Sequence, residues 1–241
     1  MPDLRFGECR ATYEVVRCNR KTLGVVVSAD GAVVVRVPYS AGAARIAEFV
    51  DGLKPWIFKH LIRYQQACPQ RKFVSGESLP YLGKKYRLMV TVDGAGRQPC
   101  VELAGSRLKV TVVHGLTDEA RQEAVKAALT GWYKEQAREM LPARVGEIGG
   151  RMGALPAAVK VKHQARRWGS CTASGVISLN WQMVMAPPEV IDYVVVHELC
   201  HLKVHNHQRE FWSYVGRHEP DYKKLRKWLR VNGRSVTFLS S

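Results

Sequence analysis

Between residues 11 and 38 the apolar positions follow the short period of half-buried strands, and two β-branched runs, at 23–28 and 32–37, flank Ala29-Asp30-Gly31. Glycine tolerates the positive φ of a tight turn, so the two runs read as a hairpin. After Pro38 the period lengthens. Ile46, Phe49, Val50 and Leu53 recur at helical spacing within 43–53. Pro55 then opens a second helical stretch, with Trp56, Ile57, His60, Leu61 and Tyr64 along one side. Strand-like runs return at 86–92, 101–103 and 108–113, separated by Asp93-Gly94 and Ala104-Gly105 turns.

Near residue 115 the pattern changes again. Thr117 stands as an N-cap, with Asp118 and Glu119 set to complement the positive end of a long helix running toward Met140. Leu129, Trp132, Tyr133 and Met140 supply its apolar surface, and Pro142 and Gly149-Gly150 are expected to break or kink the chain beyond Met140. Two strand-like runs, Val159-Lys160-Val161-Lys162 and Val176-Ile177-Ser178-Leu179-Asn180-Trp181, read as a hairpin joined through 165–171. Pro187-Pro188 starts a helix to about 203, a short helix is expected around 208–216, and a last one begins near Tyr222. No internal repeat and no low-complexity segment is legible. The expected fold class is α+β. A β-rich region with two helices spans 1–114, and a helical domain carrying one small sheet spans 115–241.

The 241 residues are 46% hydrophobic and 24% charged, which suffices for a core without disulfides and excludes disordered, collagen-like and coiled-coil chains. No apolar run approaches the roughly 20 residues of a membrane span. The first residues lack a signal-peptide pattern, so a soluble, cytoplasmic protein with no membrane partner is expected. Lys and Arg outnumber Asp and Glu by 37 to 21, and the excess is spread along the whole chain. That charge points to an anionic partner, a nucleotide or nucleic acid, as readily as to a plain solvated surface. Six cysteines without a C-x-x-C pair suggest reduced, mostly buried thiols and no cysteine zinc site.

The chemistry gathers at His197-Glu198-Leu199-Cys200-His201. Residues four apart on a helix lie about 6 Å apart along its axis on one face, so both imidazoles can meet one Zn²⁺. Glu198 is rotated about 100° from His197 and reaches a water on the ion rather than the ion, which suits a general base. The apolar run 191–196 ahead of the motif is what a helix through a core requires. A catalytic zinc takes three protein ligands and keeps one position open. His205 would lie in line with the first pair and is expected to be exposed. Asn206 can end the helix in the left-handed conformation and return His207 to the metal, with Glu219 as the alternative third ligand.

Arg167-Trp168-Gly169-Ser170-Cys171, Ile177-Ser178-Leu179-Asn180-Trp181, the stretch 193–202 around the paired histidines, and Asn206-His207 before Phe211-Trp212 together resemble the YgjP-like zincin metallopeptidase family, related to the SprT-like and WLM zinc metalloproteases. Lys54-Pro55-Trp56-Ile57, the stretch 76–83, Trp132-Tyr133, Asp221-Tyr222 and Lys227-Trp228-Leu229 extend the resemblance over nearly the whole chain. Gln208 stands where the family commonly has Ser. The resemblance implies a zincin-like catalytic domain with Zn²⁺ on His197, His201 and His207, and Glu198 as acid and base. It implies a zinc-dependent metallohydrolase, foremost a metallopeptidase acting on a peptide or protein. A UTP pyrophosphatase, or a basic nucleic-acid-associated protein with a structural metal, is the alternative.

On the connection before Cys171, Arg167, Trp168 and Ser170 are candidate substrate-binding residues, since arginine can hold a carboxylate or a phosphate. Trp168 and Trp181 read equally as core aromatics, and Gly169 as a residue that permits the turn. Cys171 and Cys200 read as small buried apolar groups. Lys223, Lys224, Arg226, Lys227 and Arg230 cover the outer side of the last helix, as a hydrated face or a contact for nucleic acid.

Overall fold

A computed structural model describes residues 2–7, 9–27, 32–67, 71–93, 99–165, 167–237 and 239, with backbone only for 63–67 and 234. The expected turns at Ala29-Asp30-Gly31 and Gly94, and the Tyr64 side chain, lie outside the described residues. The chain divides into two compact units, Met1–Gln70 and Arg71–Ser241. This boundary differs from the compositional shift near 115, because the second group of strands packs its apolar face with the helices C-terminal to it.

The first unit holds β1 (Asp3–Phe6), β2 (Cys9–Arg17), β3 (Gly24–Val27), β4 (Val33–Val37), α1 (Ala43–Gly52) and α2 (Lys54–Ala67). Its sheet runs β1-β2-β4-β3, with β2 and β4 parallel and the two outer pairs antiparallel. The expected β3–β4 hairpin is present. Val33, Val35 and Val37 alternate inward and meet Ile46 and Val50 of α1 and Ile57, Phe58 and Leu61 of α2 in one core.

The second unit opens with β5 (Ser78–Tyr81), β6 (Lys84–Asp93), β7 (Cys100–Ala104) and β8 (Arg107–Val113). Their order, β5-β6-β8-β7, again has a parallel central pair and antiparallel flanks, so the two sheets share one topology. At the turn between β5 and β6, Leu82 donates its amide to the Val184 carbonyl (2.8 Å), and Gly83 at φ 75° lies so close to Pro187 that a Cβ would come within 2.9 Å of it. That contact seats the start of the helix carrying the paired histidines.

α3 (Asp118–Met152) is capped by Thr117, whose side chain accepts from the Ala120 amide, and ends on Gly153 in the left-handed conformation. The expected break at Pro142 or Gly149-Gly150 does not occur. Val125, Leu129, Tyr133, Ala137, Leu141, Val145 and Ile148 form an unbroken buried stripe, and packing along it outweighs the hydrogen bond that Pro142 removes. Gly149 is a close-approach position: a Cβ there would lie 2.8 Å from the Ala154 carbonyl.

Next comes a three-stranded sheet of β9 (Ala158–Lys162), β10 (Gly169–Cys171) and β11 (Val176–Asn180), in the order β10-β11-β9. Here the sequence expectation fails in its pairing. β9 and β11 are parallel, and the hairpin is β10 with β11. A 3-10 turn, Trp181–Met185, leads into α4 (Pro188–Cys200), and then come α5 (Arg209–His218) and α6 (Tyr222–Asn232). α4 is buried almost all round, as its apolar sequence requires. Among the described residues, no helix is long and apolar enough to cross a membrane.

Candidate metal centre

The last helical residues of α4 and the turn beyond it build the site. α4 stops at Cys200, earlier than its sequence suggested, and Leu202, Lys203 and Val204 fold into a tight turn held by amide hydrogen bonds to the Leu199 and Cys200 carbonyls. The chain then reverses. Asn206 does so without the left-handed backbone expected of it: its side-chain oxygen accepts the Gln208 amide at 3.2 Å, a local turn that also starts α5.

This reversal sets His207 across from the α4 pair. Its Nε2 lies 3.1 Å from Nε2 of His197 and 3.2 Å from Nε2 of His201. All three ligand atoms fall within 4.8 Å of one another. Nitrogens bound at 2.0–2.1 Å to a tetrahedral ion stand about 3.3 Å apart, so the three converge at the spacing such an ion demands. The His201 Nδ1 lies 3.0 Å from the Val204 carbonyl. An Nδ1–H donated there leaves the Nε2 lone pair for a cation. Beneath the cluster sits fully buried Phe211, its ring centroid 4.5 to 4.9 Å from those of all three imidazoles. The Trp212 indole N–H donates to the His207 carbonyl at 3.1 Å and so holds the returning loop.

Burial, with the neighbouring His201 and His207 rings and the Arg226 guanidinium adding to it, holds His197 down to about 3. His201 is also lowered, chiefly by burial, while its bond to Val204 works the other way. Neutral imidazole is the form that binds a metal. Glu198 is only 5% exposed, and burial pushes its carboxyl up to about 7, with Arg167 opposing. A carboxyl near neutrality can both take and return a proton at physiological pH.

The histidines and Glu198 line a cleft of about 490 Å³ together with Arg167, Gly169, Ser170, Cys171, Ala173 and His205. Arg167 and His205 are exposed. Trp168 does not line this cleft; it is partly buried against Gly233, where a Cβ would lie 2.9 Å from the indole. Trp181 is core. Glu219, the alternative ligand, sits elsewhere, in a smaller cavity with Arg144, Asp192 and His218. Cys200 is buried and its thiol is pushed up to about 12 by burial, whereas Cys171 is half-exposed in the cleft. Among the described cysteines all are free and only Cys200 is buried, fewer than expected, because Cys9 and Cys100 begin strands at exposed positions.

Three contributors carry roles at the site that the sequence did not assign to them. Gly169 is the tightest: a Cβ there would lie 2.6 Å from Glu198 Oε1 and 2.7 Å from its Cγ, so β10 can pass the carboxylate only with glycine at this position. Asn180, 1% exposed, donates to the carbonyls of Gln164 and Arg167, and its amide donates to Trp168, fixing the connection into β10. Phe211 is the third. Of these only Asn180 left a signal in the sequence, as the one polar residue ending an apolar strand run.

Comparison with curated protein sequences finds no match. Among solved structures, the zymogen of Pyrococcus abyssi abylysin is 21% identical, spans 38% of this chain and 95% of its own, and superposes with a TM-score of 0.34. The zymogen of Methanocaldococcus jannaschii jannalysin is 20% identical over 39% of this chain and 98% of its own, with a TM-score of 0.33. Both are metallopeptidase zymogens. A family profile described as YgjP-like, metallopeptidase domain, matches residues 21–232, a span that contains both four-stranded sheets from β3 onward and the three converging histidines, and the chain belongs to that family.

Proposed function

We propose that this chain is a zinc-dependent peptidase in which His197, His201 and His207 hold the ion and Glu198 is the general base. The observation that carries this reading is the convergence of three Nε2 atoms beside a buried carboxyl in one open cleft. Bound there, zinc would supply a Lewis acid that polarises a peptide carbonyl and eases the ionisation of water. Glu198, buried beside the three imidazoles, takes a proton from the attacking water and delivers it to the departing amine. Gly169 keeps that carboxyl against β10.

β10 also suits an extended substrate. The Asn180 amide donates to the Trp168 carbonyl and the Thr172 amide to the Val176 carbonyl. By the alternation of antiparallel pairs, Ser170 bonds to Ser178, and the peptide groups of Gly169 and Cys171 turn to the open edge. A substrate strand added there would run past Glu198. Structural zinc sites are usually closed by four protein ligands, and this one offers three on an open cleft. Nucleotide pyrophosphate chemistry usually recruits Mg²⁺ through carboxylates, and the cleft lining contains one acid, Glu198.

The decisive experiment compares wild type with Glu198→Gln and with alanine at each histidine. Zinc content is expected to survive Glu198→Gln while cleavage of an unstructured protein substrate is lost, and each histidine variant loses stoichiometric zinc. Wild-type turnover by Glu198→Gln refutes the mechanism, and pyrophosphate release from UTP with no peptide cleavage refutes the substrate.

A further inference from the structure

α6 carries Lys223, Lys224, Arg226, Lys227 and Arg230 and no acidic residue. All five are exposed, and among the described residues none forms an ion pair with a carboxylate. Four of them, at 223, 226, 227 and 230, follow the i, i+3, i+4, i+7 spacing of a single helix face, while Leu225 on the opposite side is buried. Like charges at these spacings repel and weaken a helix.

The row also begins at the metal centre. Arg226 lies over the Trp212 ring, 4.6 Å from its centroid, and Tyr222 stacks on the same ring at 5.4 Å. Trp212 in turn holds the His207 carbonyl. Within the cleft, Arg167 adds a further exposed cation, and the single acid, Glu198, is buried. Arg226 thus joins the row on α6 to the ring beside the histidines.

From this continuity we infer that α6 is a recognition surface for acidic segments of the polypeptide substrate, with Arg226, Lys223, Lys227 and Arg230 receiving carboxylates beyond the scissile bond. The dimensions agree. Lys223 to Lys227 and Arg226 to Arg230 are each one turn, about 6 Å along the axis. Alternate side chains of an extended peptide point the same way at about 6.7 Å spacing. The inference rests on the peptidase reading for its substrate, but the surface can be tested by binding alone.

Two fluorescein-labelled twelve-residue peptides, identical except for four Glu in one and four Gln in the other, are titrated by anisotropy against the full-length Glu198→Gln protein. The acidic peptide is expected to bind at least tenfold tighter at low salt, with the advantage shrinking as salt rises. Lys223→Gln, Lys227→Gln and Arg230→Gln combined should abolish that preference; glutamine keeps helix propensity, and circular dichroism verifies the fold. In the wild-type enzyme background the same three changes raise KM for the acidic peptide and leave kcat unchanged. Equal binding of the two peptides, or a preference that survives the triple change, overturns the proposal. So does a duplex oligonucleotide of matched charge that binds tighter than the acidic peptide and depends on the same three side chains. A wild-type protein that binds the acidic peptide but cleaves no peptide defeats the peptidase reading and leaves this surface standing.

Discussion

Replacing Glu198 by glutamine should stabilise the metal-free protein, and by an amount that depends on pH. The carboxyl is 5% exposed and titrates near 7 in the folded chain against 4.5 when unperturbed. The folded state therefore holds this proton more tightly than the unfolded state. Stability falls as pH rises from about 4.5, and the full cost is present above about 7. A shift of about 2.5 pKa units at about 1.4 kcal/mol each corresponds to about 3 kcal/mol. Glutamine fills the same space without a charge, so the variant matches wild type below pH 4.5 and exceeds it by about that amount at pH 8. For a unit of this size the gain corresponds to roughly 6 to 12 °C in Tm. Urea unfolding of both chelator-treated proteins, monitored by circular dichroism from pH 4.5 to 8.5, reads the difference directly. The depressed His197 contributes equally to both proteins and cancels. An offset that stays flat across this range, or a wild type that is the more stable at pH 8, refutes the electrostatic account of Glu198.

Three further outcomes are expected. Gly169→Ala forces the Glu198 side chain off β10; turnover should fall about 100-fold or more while zinc content measured by atomic absorption is retained. Trp212→Phe removes the N–H that holds the His207 carbonyl, and competition with a chromophoric chelator should show zinc affinity lowered by about tenfold or more. Asp192→Asn breaks the two-pronged pairing with Arg144 that joins α4 to α3, and thermal unfolding should register a loss of about 1–2 kcal/mol at neutral pH, with no change in zinc content.

Local periodicity made part of this architecture readable. His197 and His201 announce themselves because one helical turn separates them and the residues ahead are apolar, and His207 because a third ligand must come from a chain that turns back. The valines of β4 and β8 alternate visibly, and Thr117 marks the start of α3. What stayed hidden depends on partners far along the chain. β1 and β5, four residues each, are too short to show a period. An alternating run looks the same whether its neighbour is parallel or antiparallel, so the parallel pairing of β9 with β11 is invisible in their residues. The shared order of the two four-stranded sheets is likewise a matter of pairing, not of residue type. Pro142 obeys its local rule only where packing does not oppose it, and the stripe from Val125 to Ile148 does oppose it. Gly169 gives no hint that its missing Cβ is needed by Glu198. The change in composition near 115 marks a passage from strand to helix, whereas the compact units divide at 70 and 71.

Phe211 fixes the floor of the histidine cluster. A single rigid hydrocarbon ring packs against all three imidazoles and blocks them from swinging downward, so the nitrogens face a common vertex. Under the proposed metal reading, the three imidazoles would serve as a ready-made socket in which one divalent ion could replace another without refolding the loop that carries His207. Cobalt substituted at that vertex would therefore report on the cleft by its visible spectrum, in a protein whose scaffold has not moved.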